Sequence, residues 1–204
     1  MQNTRASVFK RQRRHGILPG ADRADVQRVT PRRVEVTPYQ AEWPHRFEEE
    51  KQRLENVFQG KLISLHHIGS TSVTGLPAKP TIDIMGALKR LEDADQMEEK
   101  LEELGYTAYG EHHMTGRRFF TREAPDGRRL VHLHLFEENS PHLERHLAFR
   151  DYLRCHPEAR RRYGGLKQSL AWEYPFNMKA YIEGKEDVVK ELEAGALKWY
   201  RKKT

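Results

Sequence analysis

The residues with the strongest claim to chemistry lie in a stretch that carries almost no charge. Between residues 62 and 88 the only formal charges are Lys79 and Asp83, where a chain with 32% charged residues would place about nine. The stretch opens on Leu62-Ile63-Ser64-Leu65, a buried-strand pattern. It passes through the small-residue turn Gly69-Ser70-Thr71-Ser72 and ends on Ile82-Asp83-Ile84-Met85, a second strand. Ser70, Thr71 or Ser72 is expected to cap a short helix running to Leu76. Such a turn lets backbone N–H groups approach a phosphate, and a helix start adds a positive dipole. A carboxylate on the next strand suits a divalent metal, and Lys79 would offset phosphate charge. A buried charge is costly unless paired or metal-bound, so the alternative is a Lys79–Asp83 pair at a strand edge.

His132 and His134 stand at i and i+2 in Arg129 to Phe136, a predicted strand, and so share one face. Neutral imidazoles placed side by side can hold a metal; the alternative is a hydrogen-bonded or solvent-facing pair. Eight of the eleven histidines fall between residues 66 and 146, which is enrichment and not yet a ligand set. Arg150 and Arg154 are i, i+4 on a predicted helix and could reach one anion or form ordinary surface charge. Tyr181 and Lys185 have the same spacing and the same two readings. Cys155 has no evident base partner and is expected to be inert.

These residues need elements to position them. Val34-Glu35-Val36 alternates like a short strand that Pro38 ends. A helix is expected over 41–58, with Phe47, Leu54, Val57 and Phe58 inward. Another is expected over 91–104, stopped by Gly105. Tyr106 to Tyr109 reads as a strand, and Arg117 to Arg122 as the partner of Arg129 to Phe136, with Asp126-Gly127 as the hairpin signal. From Pro141 the pattern is helical, over 141–154, 157–173 and 176–200, with Pro157 suited to a helix start. The order predicts an α+β fold with a mixed sheet, flanking helices and a C-terminal helical segment.

The 204 residues suffice for one domain, read here as 31–204, preceded by an arm over 1–30. The arm holds seven Lys/Arg against two Asp; the rest holds 29 basic and 28 acidic side chains. Nucleic-acid contact is therefore expected only through the arm, whose plain alternative is a disordered, solvated tail. No apolar run follows its basic residues, so a secretory signal is not expected, while an organelle transit segment is an alternative. No stretch of about 18 apolar residues exists, so no membrane span is expected. A single cysteine excludes an internal disulfide and fits a reducing cytoplasm.

Several blocks, in order, resemble the GrpB family, a nucleotidyltransferase-like family found alone and as an extra domain on some bacterial dephospho-CoA kinases. They are Pro38-Tyr39 through Trp43-Pro44 and Phe47; His67-Ile68-Gly69-Ser70-Thr71-Ser72-Val73 with Gly75-Leu76; Ala78-Lys79-Pro80 to Ile82-Asp83-Ile84; Arg118-Phe119-Phe120; His132-Leu133-His134; Leu147 to Arg154; Tyr163; Leu166-Lys167; and Tyr181 with Lys185. The likeness covers about Val34 to Leu197 and none of the arm. It implies the polymerase-beta-type nucleotidyltransferase fold, in which a Gly-Ser turn precedes a strand bearing two carboxylates at i and i+2, and a later strand adds a third. It also implies a phosphate-binding role for His67, Gly69, Ser70, Thr71, Ser72, Lys79, Arg118, Arg150, Tyr181 and Lys185. Asp83, His132 and His134 become the catalytic and metal-binding set. Here Met85 stands where the second carboxylate belongs, and His132 and His134 replace an obvious third. Glu111 and Glu123 are the candidate substitutes. One Asp and two His suit a single softer ion such as Mn or Zn better than a pair of Mg ions. The expected activity is metal-dependent transfer of a nucleotidyl or phosphoryl group to a small molecule. The alternative is a module that binds a nucleotide or phosphorylated metabolite without turnover.

Overall fold

The computed structural model describes residues 33–203, so the basic arm lies outside the described residues. Seven helices and five strands follow in the order α1 (Glu42–Phe58), β1 (Leu62–Ile68), β2 (Ile82–Leu88), α2 (Glu92–Asp95), α3 (Glu98–Glu103), β3 (Tyr106–Ala108), β4 (Arg117–Glu123), β5 (Arg129–Glu137), α4 (Pro141–Cys155), α5 (Pro157–Glu173), α6 (Met178–Gly184) and α7 (Glu186–Tyr200). The sheet runs β1-β2-β5-β4-β3. Only β2 and β5 are parallel; the other pairs are antiparallel. This is the α+β class with a mixed sheet, flanking helices and a helical C-terminal segment. Among the described residues no helix is long and apolar enough to cross a membrane.

Alternation sorts the strands into two faces. On one, Ile82, Ile84, Leu133, Leu135 and Phe120 pack under Trp43, Phe47, Leu54 and Phe58 of α1. On the other, Ile68, Met85 and Phe136 meet Leu143 and Leu147 of α4. The remaining length of this second face carries Asp83, His132, His134 and Phe119, whose phase is fixed by the pairings Asp83↔His132, Met85↔His134 and Phe119↔His134.

Four local expectations are corrected. Val34 to Val36 forms no strand: Val34 N–H donates to Pro175 O, a single bridge joins Thr37 to Ala78, and Pro38 cannot extend the ladder. No helix runs from Ser70 to Leu76. One 3-10 turn, Ser70–Ser72, ends where Val73 turns extended and Gly75 takes φ +78°. The expected 91–104 helix breaks at Met97, beside Lys61, whose Nζ reaches Asp93 Oδ1 at 3.1 Å and Gln96 Oε1 at 2.7 Å. The expected 176–200 helix breaks between α6 and α7. There Gly184 packs so closely on α5 that a Cβ would lie 2.6 Å from Leu170 Cδ2.

Candidate functional site

The site grows from the pairing of β2 with β5. Because the two strands are parallel and in register, Asp83 and His132 are lateral neighbours, and His132 Nδ1 meets Asp83 Oδ1 at 2.9 Å. Burial pushes the Asp83 carboxyl up, but the hydrogen bond from His132, with the Lys79 charge, outweighs it, leaving Asp83 below its usual value. One ligand atom from each of Asp83, His132 and His134 falls within 4.8 Å of the others. Arginine only donates, so Arg117, 3.3 Å from His134 Nδ1, fixes the His134 tautomer with its proton on Nε2. Burial pushes His134 down to about 3, so the ring is neutral.

The turn after β1 closes against this carboxylate. Gly69 adopts φ +67°, and a Cβ there would lie 2.2 Å from Asp83 Oδ2. Only glycine lets the backbone pass so near an acid. Beyond it opens a cavity of about 190 Å³, lined by Ser70, Thr71, Ala78, Lys79, Thr81, Asp83, His132 and two matched pairs from facing helices. Tyr163 and Lys167 of α5, and Tyr181 of α6 with Lys185 just after it, are each spaced i, i+4. Each ammonium sits near its own ring, 4.6 Å from the Tyr163 centroid and 5.3 Å from that of Tyr181.

Three lysines thus face one carboxylate. Lys167 Nζ donates to Ser70 Oγ at 2.8 Å and to Pro77 O, both uncharged. Lys79 Nζ approaches a thioether, Met178 Sδ at 3.6 Å, and the Tyr181 ring. Among the described residues no carboxylate lies within ion-pair distance of Lys79, Lys167 or Lys185, so the expected Lys79–Asp83 alternative pair is not formed. Burial pushes all three ammoniums down, Lys167 to about 7. Burial likewise raises the Tyr163 phenol to about 12.

Of the residues expected at the site, the structure gathers Gly69, Ser70, Thr71, Lys79, Asp83, His132, His134, Tyr181 and Lys185. Four are placed elsewhere. His67 turns to the α1 face, stacks on Phe47 at 4.9 Å and bonds Thr71 Oγ1 at 3.0 Å. Ser72 donates its hydroxyl to Gly69 O at 2.6 Å. Arg118 points opposite to Phe119 and grips Asp95 with bonds of 2.6 and 2.9 Å. Arg150 holds Asp151 and donates to His67 O at 3.2 Å, while its expected partner Arg154 donates to Ser72 O, so both brace the turn from outside. Neither candidate acid substitutes for Met85, which is buried: Glu111 accepts from Gly116 N–H at 2.8 Å and Glu123 pairs with Arg129 at 3.1 Å.

Lys167 and Tyr163 are the functional candidates that periodicity does not single out. The available signals are the family resemblance, whose blocks include both residues, and Gly164-Gly165 inside a helix, a mark of close approach. A Cβ on Gly164 would lie 3.0 Å from Pro77 Cδ.

Comparison with known proteins agrees with this architecture. The model of the GrpB protein family matches residues 33–194. The UPF0157 protein YqkA of Bacillus subtilis is 41% identical over 82% of the chain, which spans 48% of that relative's length. The crystal structure of the conserved protein GrpB from Enterococcus faecalis superposes with a TM-score of 0.78 at 38% identity, covering 81% of this chain and 99% of that one. A dephospho-CoA kinase of Mycolicibacterium paratuberculosis is 25% identical over 90% of the chain and 51% of its own length. With a family model spanning residues 33–194, most of its length, the chain belongs to the GrpB family.

Proposed function

We propose that this protein binds a phosphate-bearing small molecule, a nucleotide or a phosphorylated metabolite, in the cavity beside Asp83. The observation that carries this reading is the excess of cationic charge, buried at Lys167 and half-buried at Lys79 and Lys185. Lys79, Lys167 and Lys185 converge on a space whose only acid, among the described residues, is Asp83. Unpaired buried charge is costly, and an anionic ligand in that space would offset it. The likeness to dephospho-CoA kinases supports a nucleotide-related ligand.

Asp83, His132 and His134 fit one borderline divalent ion such as Mn or Zn, a single carboxylate being too few to bridge two hard cations. Such an ion would supply Lewis acidity toward a phosphoryl oxygen. For His134 to join, Arg117 must yield Nδ1, which then would either hold the ion itself or take the ring proton and bare Nε2. The chain's own groups do the rest: the lysines orient the phosphate, Gly69 brings the backbone close, and Asp83 orients the His132 ring. Metal-dependent transfer of a nucleotidyl or phosphoryl group to a small molecule is the reaction this arrangement would serve. Buried Met85, in place of a second carboxylate, favours a second reading in which the pocket binds without turnover.

A thermal-shift panel crossing ATP, GTP, CTP, UTP and tripolyphosphate with Mg, Mn and Zn tests the proposal. A ligand at 100 times its Kd stabilises by roughly 2.7 kcal/mol, a rise of several degrees. The expected result is a rise with polyphosphate anions that Lys79→Met and Lys185→Met abolish. An unchanged melting temperature across the panel overturns the reading. Release of pyrophosphate or phosphate on incubation with an acceptor mixture separates transfer from binding alone.

A further inference from the structure

A cavity of about 190 Å³ is smaller than the roughly 300–1,000 Å³ of sites that enclose whole small molecules. It admits the phosphate end of a ligand, and the remainder would lie outside it, where the sheet face continues from the lining residue His132. That face is aromatic. From His132 the contacts run to Phe119 at 5.5 Å between centroids, and then to His112, which stacks on Phe119 at 5.0 Å and 18°. Tyr109 lies edge-on to His112 at 5.6 Å and is 42% exposed. The Arg129 guanidinium stands over the Tyr109 ring at 5.7 Å.

The loop that presents His112 is held at a cost. His112 and His113 adopt φ of 42° and 66°, strained for residues with a Cβ, between Gly110 and Gly116, which are also at positive φ. Arg117 holds them there by donating to the carbonyls of Glu111 and His112, and Glu111 caps Gly116 N–H. An arginine, a carboxylate and two glycines are thus committed to fixing an exposed imidazole beside an exposed phenol.

We propose that His112 and Tyr109, flanked by Arg129, form a stacking shelf for the heteroaromatic ring of a nucleotide whose phosphates occupy the lysine cavity. The shelf rests on the anion-binding reading above and narrows its ligand from any phosphorylated metabolite to a nucleotide. Base–aromatic stacking accounts for about a tenfold gain in affinity.

The experiment is calorimetric titration of the full chain, in EDTA, with ATP and with tripolyphosphate. His112→Gly removes the ring without adding backbone strain, and Tyr109→Leu keeps an apolar side chain and removes the phenol ring. The expected result is ATP binding about tenfold tighter than tripolyphosphate, although ATP carries less charge. Each variant should cut ATP affinity severalfold and leave tripolyphosphate affinity unchanged, the latter reporting that the variant is folded. Equal affinities for the two ligands, or ATP binding indifferent to both variants, overturn the shelf and leave the anion cavity standing. Failure of both ligands to bind wild type overturns the cavity reading and the shelf with it.

Discussion

The Lys167 ammonium donates to the Ser70 hydroxyl at 2.8 Å across 97 residues of sequence. That bond joins α5 to the turn beside Asp83 and sets a buried cation against neutral oxygens. Burial, and then the Lys185 charge, push Lys167 from 10.5 down to about 7, with Asp83 pulling the other way. Below pH 7 both the folded and unfolded chains carry this proton, and the destabilisation is present in full. Between pH 7 and 10.5 the unfolded chain binds it more tightly, so stability rises with pH. Lys167→Met should flatten that rise by a few kcal/mol, on the order set by the pKa shift, without abolishing it, because Lys79 and Lys185 shift in the same direction. Urea unfolding midpoints at pH 6.5, 8 and 9.5 measure the slope; parallel profiles for wild type and variant would contradict it.

Gly69→Ala should lower stability by about 1–3 kcal/mol and disturb Asp83 as well. The left-handed backbone penalises any Cβ, and this one would meet the carboxylate oxygen. Thermal unfolding reports the first effect. The imidazole NMR signals of His132, whose Nδ1 bonds Asp83, report the second.

Asp83→Asn should act in opposite directions on the two proposed ligands. The amide oxygen can still accept from His132 Nδ1, so the ring stays oriented. Removing a negative charge beside three lysines should tighten metal-free tripolyphosphate binding severalfold. The gain conferred by Mn or Zn should disappear. Weaker metal-free binding in this variant would place the anion elsewhere.

Arg118→Ala should leave anion and nucleotide binding unchanged and cost about 1 kcal/mol or less, since it severs only a half-exposed pair with Asp95. Glu50→Ala should cost more, about 3–5 kcal/mol. Glu50 is 2% exposed, accepts from Tyr106 Oη at 2.6 Å and from Arg122 at 2.5 Å, and its loss strands both partners on the α1 side of the sheet. Chemical denaturation of both variants ranks them directly.

The sequence makes legible what depends on local pattern. The uncharged run over 62–88 exposes β1, the turn and β2. The alternation of Val131, Leu133 and Leu135 with His132 and His134 puts both histidines on one face. Arg118 defeats the same reasoning, because Arg117 and Arg118 are adjacent and only the pairing Thr121↔His132 decides which one shares the histidine face. Lys167 is hidden for another reason. It follows Arg160, Arg161 and Arg162 in a charged helix, and nothing in helical periodicity distinguishes a cation facing a cavity from one facing water. His67 belongs to a motif yet faces α1, since one step along a strand reverses the side chain.

The cavity draws on residues from Ser70 to Lys185, with the β2–β5 pair at its floor and the two tyrosine–lysine pairs at its wall. During synthesis the chain emerges from its N-terminal end, so the carboxylate, the turn and Lys79 are complete while Lys167 and Lys185 are still unmade. The cavity is therefore complete only when α5 and α6 dock. A truncation anywhere before residue 185 takes Lys185 from the cavity wall even where the sheet survives.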